Sequence, residues 1–350
     1  MKRRVGAPDR LRRVRITFFG SPAFAVTSLT ALLDAGHEIA LVVSQPAKPA
    51  GRSGAPMPPA VARAAAGRGL PLFQPESLKG GEAALRLAEA GADLFVVVAY
   101  GKILRQNVLD LPRLGCVNVH GSLLPRWRGA SPVQAALLAG DVTTGVSIMK
   151  MDAGMDTGPV YAMRETGIGE EEDAASLGAR LAEMGAQLLV ETLFFLEGES
   201  GICGSPKPRG TAGAEAPALN APSRKISLPP LPQDDSLATY CPKISREDGL
   251  VDWKCPAAEL VRRDRAFTPW PGLFTFRRKT RVKLASLSLV AGEPSRLPPG
   301  TISSISPSLV VACGEGTVAV GELQAEGRKR LPAADFVRGE RVDPGELWPS

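Results

Sequence analysis

Histidine is almost absent from this chain, which has only His37 and His120 among its 350 residues. The five cysteines are an odd number and contain no C-x-x-C pair, which disfavours both a disulfide framework and a structural zinc site. Two distant histidines and scattered cysteines cannot supply the usual ligands of a transition metal, so we expect no metal. Cysteines without a pairing pattern fit a reducing compartment, and we expect a cytoplasmic protein.

Long hydrophobic runs are also missing. No apolar stretch approaches the ~20 residues that a membrane-spanning helix needs, so we expect no membrane association. The first residues, "MKRRVGAPDRLRRVR", are basic but lack the apolar core and cleavage site of a secretory signal. With 44% hydrophobic and 22% charged residues, the composition is that of a globular protein. The net charge of +6 hints at a polyanionic partner.

From residue 14 onwards, apolar runs alternate with segments of helical spacing. The runs "VRITFFG", "HEIALVVSQ", "ADLFVVVAYG", "GCVNVHGS" and "TTGVSIMKM" predict strands. The segments "FAVTSLTALLDAG", "AVARAAAGRG", "SPVQAALLAGD" and "AASLGARLAEMGAQLLVETLFFLEG" predict helices. This alternation indicates an α/β fold with a doubly wound, mostly parallel, Rossmann-like sheet.

The second half has a different character. Glycine, proline, serine and alanine dominate residues 197–239, which we interpret as a linker. Beyond it, short alternating runs such as "RVKLASLSLV" predict a smaller, antiparallel, OB-like β-barrel. We therefore predict a basic N-terminal extension at 1–13, an α/β domain at 14–196, the linker, and a C-terminal domain at 240–350.

A polar group interrupts the predicted strand "GCVNVHGS". Asn118 and His120 are two residues apart and share one face of that strand, at the carboxyl end where such sheets bind ligands. The loop "MDAGMDTGP" follows another strand and can bring Asp152 or Asp156 to the same end. Amide and imidazole N–H groups can stabilise negative charge on a carbonyl oxygen, and an imidazole or carboxylate can move a proton. The set suits acyl transfer between nitrogens, although taken alone it fits a structural histidine and turn-forming residues better.

The surrounding residues bear a more specific resemblance. The stretches "NVHGSLLPRWRGASPVQAAL" and "GVSIMKMDAGMDTGP" resemble the signature of the 10-formyltetrahydrofolate-dependent formyltransferases. The segments "ITFFGSPAFAV", "SQPAKPAGR", "KISREDGLVDW", "RAFTPWPG" and "AADFVRGERVDPGE" resemble the members of that family that act on initiator methionyl-tRNA. The resemblance implies an enzyme with a formyltransferase domain at 14–196 and a tRNA-binding domain at 240–350, and we expect a monomer. It would transfer the formyl group of 10-formyltetrahydrofolate to the amino group of initiator methionyl-tRNA.

The resemblance also assigns roles to individual residues. It places the catalytic trio at Asn118, His120 and Asp156, and leaves Asp152 outside it. Asn118 and His120 would bind the formyl oxygen, while Asp156 would orient a water molecule and His120 and assist proton transfer. The implied folate-contacting residues are Ser122, Leu123, Leu124, Pro125, Val98 and Tyr100.

A tRNA partner requires positive charge that follows its phosphates. The implied tRNA contacts are the basic residues Lys48, Arg52, Arg126, Arg128, Arg262, Arg263, Arg265, Arg278 and Lys279. A charge run is by default a solvated face, and the resemblance together with the predicted barrel favours RNA binding. One departure is the loop after Arg52, where "SGAPMPP" stands in place of the further basic residues typical of the family.

Other functions remain open at this point. A formyltransferase acting on glycinamide ribonucleotide would share the trio but would not need a second domain. An enzyme that formylates an amino sugar nucleotide can carry a C-terminal domain and is the main alternative. A catalytically dead RNA-binding protein is disfavoured because all three polar site residues are present. A nicotinamide-dependent oxidoreductase is disfavoured because the first strand ends in F-F-G-S-P and not in G-x-G-x-x-G.

Overall fold

A computed structural model describes residues 13–49, 54–199, 224–291 and 296–349. Arg52 and most of the basic N-terminal extension therefore lie outside the described residues. The chain divides into two compact units. The first contains residues 1–129, 143–167 and 179–240, and the second contains residues 130–142, 168–178 and 241–350. The domain boundaries predicted from the sequence stay a prediction.

The strands of the first half are β1 (Arg15–Gly20), β2 (Glu38–Val43), β3 (Lys48–Pro49), β4 (Pro56–Met57), β5 (Leu72–Phe73), β6 (Leu94–Val98), β7 (Cys116–His120), β8 (Arg128–Gly129), β9 (Thr143–Lys150), β10 (Val160–Gly167) and β11 (Arg224–Leu231). The helices there are α1 (Ala23–Asp34), α2 (Ala60–Gly67), α3 (Gly81–Glu89), α4 (Gln106–Leu109), α5 (Pro132–Ala139) and α6 (Ala174–Glu199). They are followed by the strands β12 (Tyr240–Cys241), β13 (Leu273–Arg277), β14 (Thr280–Leu289), β15 (Ile302–Ser304), β16 (Leu309–Ala312), β17 (Thr317–Ala325) and β18 (Leu331–Pro332). The last helices are α7 (Ala257–Phe267) and α8 (Ala333–Glu340).

An eight-stranded sheet forms the first unit, with the order β11-β10-β9-β7-β6-β1-β2-β5. The five strands from β7 to β5 are parallel, whereas β9, β10 and β11 add on in antiparallel fashion. β6 is buried along its whole length, as expected for a central parallel strand that is covered on both faces. The predicted α/β fold with a mostly parallel sheet is confirmed.

The second unit contains a six-stranded antiparallel sheet, with the path β13-β14-β17-β16-β15 and β18 paired to β17. Helix α7 packs against β14 and β17 of this sheet, and α8 packs against β16 and β17. Trp253 and Trp348 are fully buried in this unit. The smaller antiparallel domain predicted from the short alternating runs is confirmed.

Some elements were not marked by the sequence patterns, among them α3, β10 and β11. β11 falls within residues 197–239, which were predicted to be a linker, and it forms the edge of the sheet by pairing with β10. Among the helices of the described residues, none is long and apolar enough to cross a membrane.

Candidate active site

Strand β7 presents two polar side chains from within a buried sheet. It lies between β6, to which it is parallel, and β9, to which it is antiparallel. Asn118 is 9% exposed and His120 is 5% exposed, and side chains two apart on a strand share one face. Val119 between them is 3% exposed and points to the opposite face of the sheet. The predicted juxtaposition of Asn118 and His120 is therefore present.

The Asn118 amide is the most available donor in this group. Although Asn118 is almost entirely buried, its side chain makes no hydrogen bond within the described part of the chain. The polar atoms of Asn118 are not among the fully buried, unpaired side-chain atoms of the described residues, so the amide is still accessible. The amide therefore presents two N–H donors that a substrate oxygen can accept.

The orientation of His120 is set by a backbone carbonyl. Its Nε2 lies 2.9 Å from the carbonyl oxygen of Trp127. A carbonyl oxygen only accepts hydrogen bonds, so Nε2 carries a hydrogen. In the neutral ring Nδ1 is then the acceptor nitrogen. Nδ1 lies 3.7 Å from Oδ2 of Asp156. A proton on Nδ1 would complete an imidazolium–carboxylate pair in this arrangement.

Asp156 reaches His120 by a route that differs from the one expected from the sequence. β9 is antiparallel to β7, so the loop after β9 begins at the amino end of β7, where the N–H of Met151 bonds to the carbonyl of Cys116. The loop then folds back along the strand to bring Asp156 beside His120. Gly158 makes the reversal possible, because a Cβ there would lie 1.8 Å from the carbonyl oxygen of Lys150.

The two aspartates of this loop have separate roles. Asp152 Oδ1 accepts hydrogen bonds from the N–H of Gly154 (3.0 Å) and from the hydroxyl of Thr157 (2.8 Å), which makes it a turn residue. Asp156 Oδ2 accepts a hydrogen bond from the N–H of Gly129 at 2.8 Å. Asp156 is a non-glycine residue in the left-handed region, with φ at 55°. Its Oδ1 makes no hydrogen bond to the described residues and can serve a water molecule or an amine.

The Ser-Leu-Leu-Pro segment forms a tight turn after β7. The Ser122 hydroxyl donates to the carbonyl of Arg126 at 2.5 Å. The Ser147 hydroxyl donates to the carbonyl of Ser122 at 2.7 Å, and it accepts from the N–H of Leu124 at 3.1 Å. Leu124 is buried against Met149 and Val160, whereas Leu123 and Pro125 are half-buried. The two half-buried side chains are the ones that a folate ring system could contact.

Two of the implied folate-contacting residues, Val98 and Tyr100 at the end of β6, are more deeply buried than expected. Val98 is 0% exposed and Tyr100 is 1% exposed, so neither reaches the surface. The Tyr100 ring packs against Phe19 with a centroid distance of 5.5 Å, and burial raises the pKa of its hydroxyl to about 12. Ala99 between them is exposed and has a φ of 47°. A ligand at this strand end would touch Ala99 first.

The basic residues near the site have two different environments. Lys48 is exposed and donates to Oε1 of Gln45 at 2.9 Å, and Arg126 is exposed with its guanidinium 4.5 Å from the centre of the Trp127 ring. Arg128 is only 1% exposed, which favours a structural role over a phosphate contact. The exposed side chains of Lys48 and Arg126 are therefore candidates for contacts with phosphates.

The basic residues of the second unit also differ in their environments. The guanidinium groups of Arg262, Arg263 and Arg265 donate to backbone carbonyls within that unit. Arg277 is 5% exposed and pairs with Glu346, a contact that lowers the pKa of the carboxyl group. Arg278 and Lys279 form the exposed two-residue tip of the β13–β14 hairpin. The tip presents its charge to solvent most directly.

Several residues that shape the site were missed in the sequence. The carbonyl of Trp127 orients His120, and the N–H of Gly129 holds Asp156, but backbone groups leave no compositional signal. Gln233 donates to the carbonyls of Asp156 and Gly158, although it lies in the stretch interpreted as a linker. Gln233 lies far from Asp156 in the sequence, so no local sequence pattern links the two residues.

In the comparison with known proteins, both halves of the chain match domains of the same family. Residues 13–193 match the family described as "Formyl transferase", and residues 243–341 match "Formyl transferase, C-terminal domain". A methionyl-tRNA formyltransferase of Dechloromonas aromatica (strain RCB) is 45% identical over 336 residues, which is 96% of this chain and 99% of the relative. One from Thiobacillus denitrificans (strain ATCC 25259 / T1) is 43% identical over 95% of this chain and 98% of the relative.

A solved structure shows the same fold at low identity. HypX from Aquifex aeolicus, in complex with tetrahydrofolic acid, superposes with a TM-score of 0.59 and 16% identity. The alignment covers 97% of this chain and 51% of HypX, so the chain spans about half of that protein. With both halves matched and the relatives aligned almost from end to end, the chain belongs to the methionyl-tRNA formyltransferase group of the formyltransferase family.

Proposed function

We propose that this protein transfers the formyl group of 10-formyltetrahydrofolate to the free amino group of initiator methionyl-tRNA. The observation that carries the proposal is the grouping of amide, imidazole and carboxylate at Asn118, His120 and Asp156. In the reaction a new C–N bond forms to the methionyl nitrogen, and the bond between the formyl carbon and the folate nitrogen breaks. One proton moves from the attacking amine to the departing nitrogen.

Asn118 supplies the stabilisation of charge on the formyl oxygen. Its buried amide has both N–H donors available to a substrate, so it can meet the negative charge without rearranging. His120 Nε2 donates to Trp127 in this structure, and it would have to exchange that bond in order to reach the same oxygen. The availability of the buried amide also supports a carbonyl-bearing co-substrate such as a formylated folate.

His120 and Asp156 handle the proton. Oδ1 of Asp156 can accept a proton from the amine, directly or through water, while Oδ2 is held by Gly129. Nδ1 of His120 lies 3.7 Å from Oδ2 of the same carboxylate, so this pair can relay the proton to the departing folate nitrogen. Direct transfer of this kind needs no serine or cysteine nucleophile.

The partner and its compartment follow from the same proposal. The exposed cations Lys48, Arg126, Arg278 and Lys279 are the strongest candidates for tRNA phosphates, and Arg262, Arg263 and Arg265 keep their charge close to the surface. We place the reaction in the cytoplasm and expect the protein to act as a monomer without a metal.

The test is an assay of formyl transfer from 10-formyltetrahydrofolate to charged initiator tRNA. The wild type is compared with His120→Ala and Asp156→Asn after circular dichroism has shown that each variant is folded. We expect wild-type transfer and a loss of at least about 100-fold in both variants, because the proton path would be interrupted. Undiminished activity in the variants would assign the trio a structural role.

The same assay with an amino sugar nucleotide in place of the tRNA tests the alternative substrate. A sugar 3N-formyl transferase and an N-formyltransferase from Helicobacter canadensis in complex with dTDP-3-aminofucose share the fold, at 15% and 14% identity with TM-scores of 0.58 and 0.57, which establishes the fold alone. Transfer to the sugar and not to the tRNA would overturn the proposed substrate and keep the site.

A further inference from the structure

Gln233 has an unusually complete set of hydrogen bonds for a half-buried side chain. Its Nε2 donates to the carbonyl of Asp156 at 2.8 Å and to that of Gly158 at 2.7 Å. Its Oε1 accepts from Nε and Nη2 of Arg128, at 3.0 and 2.8 Å. Carbonyls only accept and arginine only donates, so the partners determine the orientation of the amide. All four of its hydrogen-bonding positions are used.

Arg128 of β8 bonds to the same segment of chain that carries Gln233. The residue is 1% exposed, and its Nη2 also bonds to Oδ1 of Asp235 at 2.6 Å. Its backbone N–H donates to the carbonyl of Thr239 at 2.8 Å. A buried guanidinium without such partners would be strongly destabilising, so its position depends on Gln233 and Asp235.

Asp156 is consequently held from two sides by neighbouring residues. Gln233 binds its backbone carbonyl, and the N–H of Gly129, adjacent to Arg128, binds its carboxylate. A left-handed backbone is costly for a residue with a side chain and persists only where the surroundings hold it. The contacts of Gln233 and Gly129 supply that restraint.

We propose that Gln233 and Arg128 are positioning residues for formyl transfer, which hold the Asp156 carboxylate in place beside His120. The inference rests on the proposed function for its kinetic consequences. Neither side chain is proposed to touch the substrates. The segment that follows β11 is therefore part of the active site and more than a connection between the two halves of the chain.

The kinetic test uses Gln233→Met and Gln233→Glu. Methionine keeps the length of the side chain and removes every hydrogen bond. Glutamate keeps an acceptor for Arg128 but places a carboxylate against the two carbonyls. In both variants we expect kcat to fall by about 10- to 100-fold, with the KM values for tRNA and folate nearly unchanged, because a catalytic group displaced by roughly 1 Å loses that much rate.

The matched control is Gln187→Met. Gln187 also accepts a hydrogen bond from an arginine, Nη1 of Arg164 at 3.4 Å, but it is exposed on α6, away from the Asp156 loop. Its variant should keep wild-type kinetics. A rise in KM for tRNA with unchanged kcat in the Gln233 variants would instead indicate a tRNA contact and overturn the proposal.

A second readout needs no substrate. The chain has two histidines, so the ring ¹⁵N signals of His120 can be assigned by comparison with His37→Asn. We expect Gln233→Met to move the His120 signals towards those of Asp156→Ala, and Gln187→Met to leave them unchanged. Wild-type His120 signals in a folded Gln233→Met protein would overturn the positioning role. If the wild type formylates no tRNA, the proposed function fails, while this readout still decides the positioning role.

Discussion

At the residue scale, the candidate site combines groups that are tightly held with groups that are unsatisfied. Nε2 of His120 bonds to the carbonyl of Trp127, and Oδ2 of Asp156 accepts from the N–H of Gly129. Each side chain keeps a second polar atom, Nδ1 or Oδ1, for chemistry. The Asn118 amide has no partner among the described residues. The polar atoms of Asn118 are not among the fully buried, unpaired ones of the described residues, so this amide is still accessible. An accessible donor beside a held acid–base pair is typical of a site arranged for a transition state.

Replacing Asn118 by aspartate tests its role at nearly constant volume. Asn118→Asp exchanges two N–H donors for a carboxylate at the point where negative charge develops, so kcat should fall by about 100- to 1,000-fold. Steady-state formylation kinetics measure the effect, and Asn107→Asp, an exposed change on α4, is the control. Equal kcat values for the two variants would contradict the donor role.

Asp264 on α7 is a buried carboxylic acid of the second unit. It is 7% exposed, and burial raises its pKa from 3.8 to about 6, although the N–H of Leu287, bonded to Oδ2 at 2.8 Å, acts in the opposite direction. The folded protein therefore binds this proton more tightly than the unfolded chain does. The contribution of Asp264 to stability is fully present below about pH 4 and is lost as the pH rises through about 6.

Asp264→Asn removes the titrating group and keeps an oxygen for Leu287. We expect the variant to match the wild type near pH 4 and to exceed its unfolding free energy by up to about 3 kcal/mol at about pH 7.5, since each pKa unit corresponds to about 1.4 kcal/mol. Urea unfolding at the two pH values measures the difference. Glu315→Gln, an exposed change in the same unit, should show no such pH-dependent gain.

At the scale of elements, β7 is supported from behind by helix α6. Val119 points away from Asn118 and His120, and a Cβ on Gly185 of α6 would lie 2.8 Å from Val119 Cγ1. The glycine therefore allows the helix to approach the strand that carries Asn118 and His120. At Gly178, on the same helix, an added Cβ would have no described atom of another element within 4 Å.

The pair of glycines gives a matched test of that packing. Gly185→Val should push α6 away from β7, lower the unfolding free energy by about 1–3 kcal/mol and reduce kcat. Gly178→Ala should raise stability by about 0.5–1 kcal/mol, because alanine favours the helix, and should leave kcat unchanged. Thermal unfolding and formylation assays on both variants measure the effects. Wild-type behaviour of Gly185→Val would show that the close approach is unimportant.

Elements with strong local patterns could be predicted from the sequence, and those that depend on distant partners could not. The apolar run around β6 and the long periodic pattern of α6 specify their structures locally. β11 lies at the edge of the sheet, where fewer buried residues are needed, and it adds to β10 from across a long sequence separation. The trio was found through its motif, whereas Gln233 lacks a motif because only the folded chain brings it to Asp156.

At the scale of the whole molecule, charge decides how the protein meets a tRNA. The chain carries 42 basic and 36 acidic residues, and the net excess of +6 is modest. Two arginines already pair with groups of the protein: Arg128 and Arg277 are buried in polar networks within their own units. Binding to phosphates would therefore depend on a subset of exposed cations, among them Lys48 and the Arg278–Lys279 tip.

The dependence of the reaction on salt measures how many phosphates that subset neutralises. We expect log(kcat/KM) for tRNA to fall linearly with log[KCl] between about 50 and 200 mM, with a slope of about −0.9 for each neutralised phosphate. The KM for folate should change far less, because few charges are involved. Lys48→Ala should reduce the slope by about 1, whereas Lys79→Ala, which removes an exposed lysine outside the proposed contacts, should not. A slope that is the same in Lys48→Ala and the wild type would remove Lys48 from the tRNA interface, and a flat salt dependence of the wild type would contradict recognition through phosphates altogether.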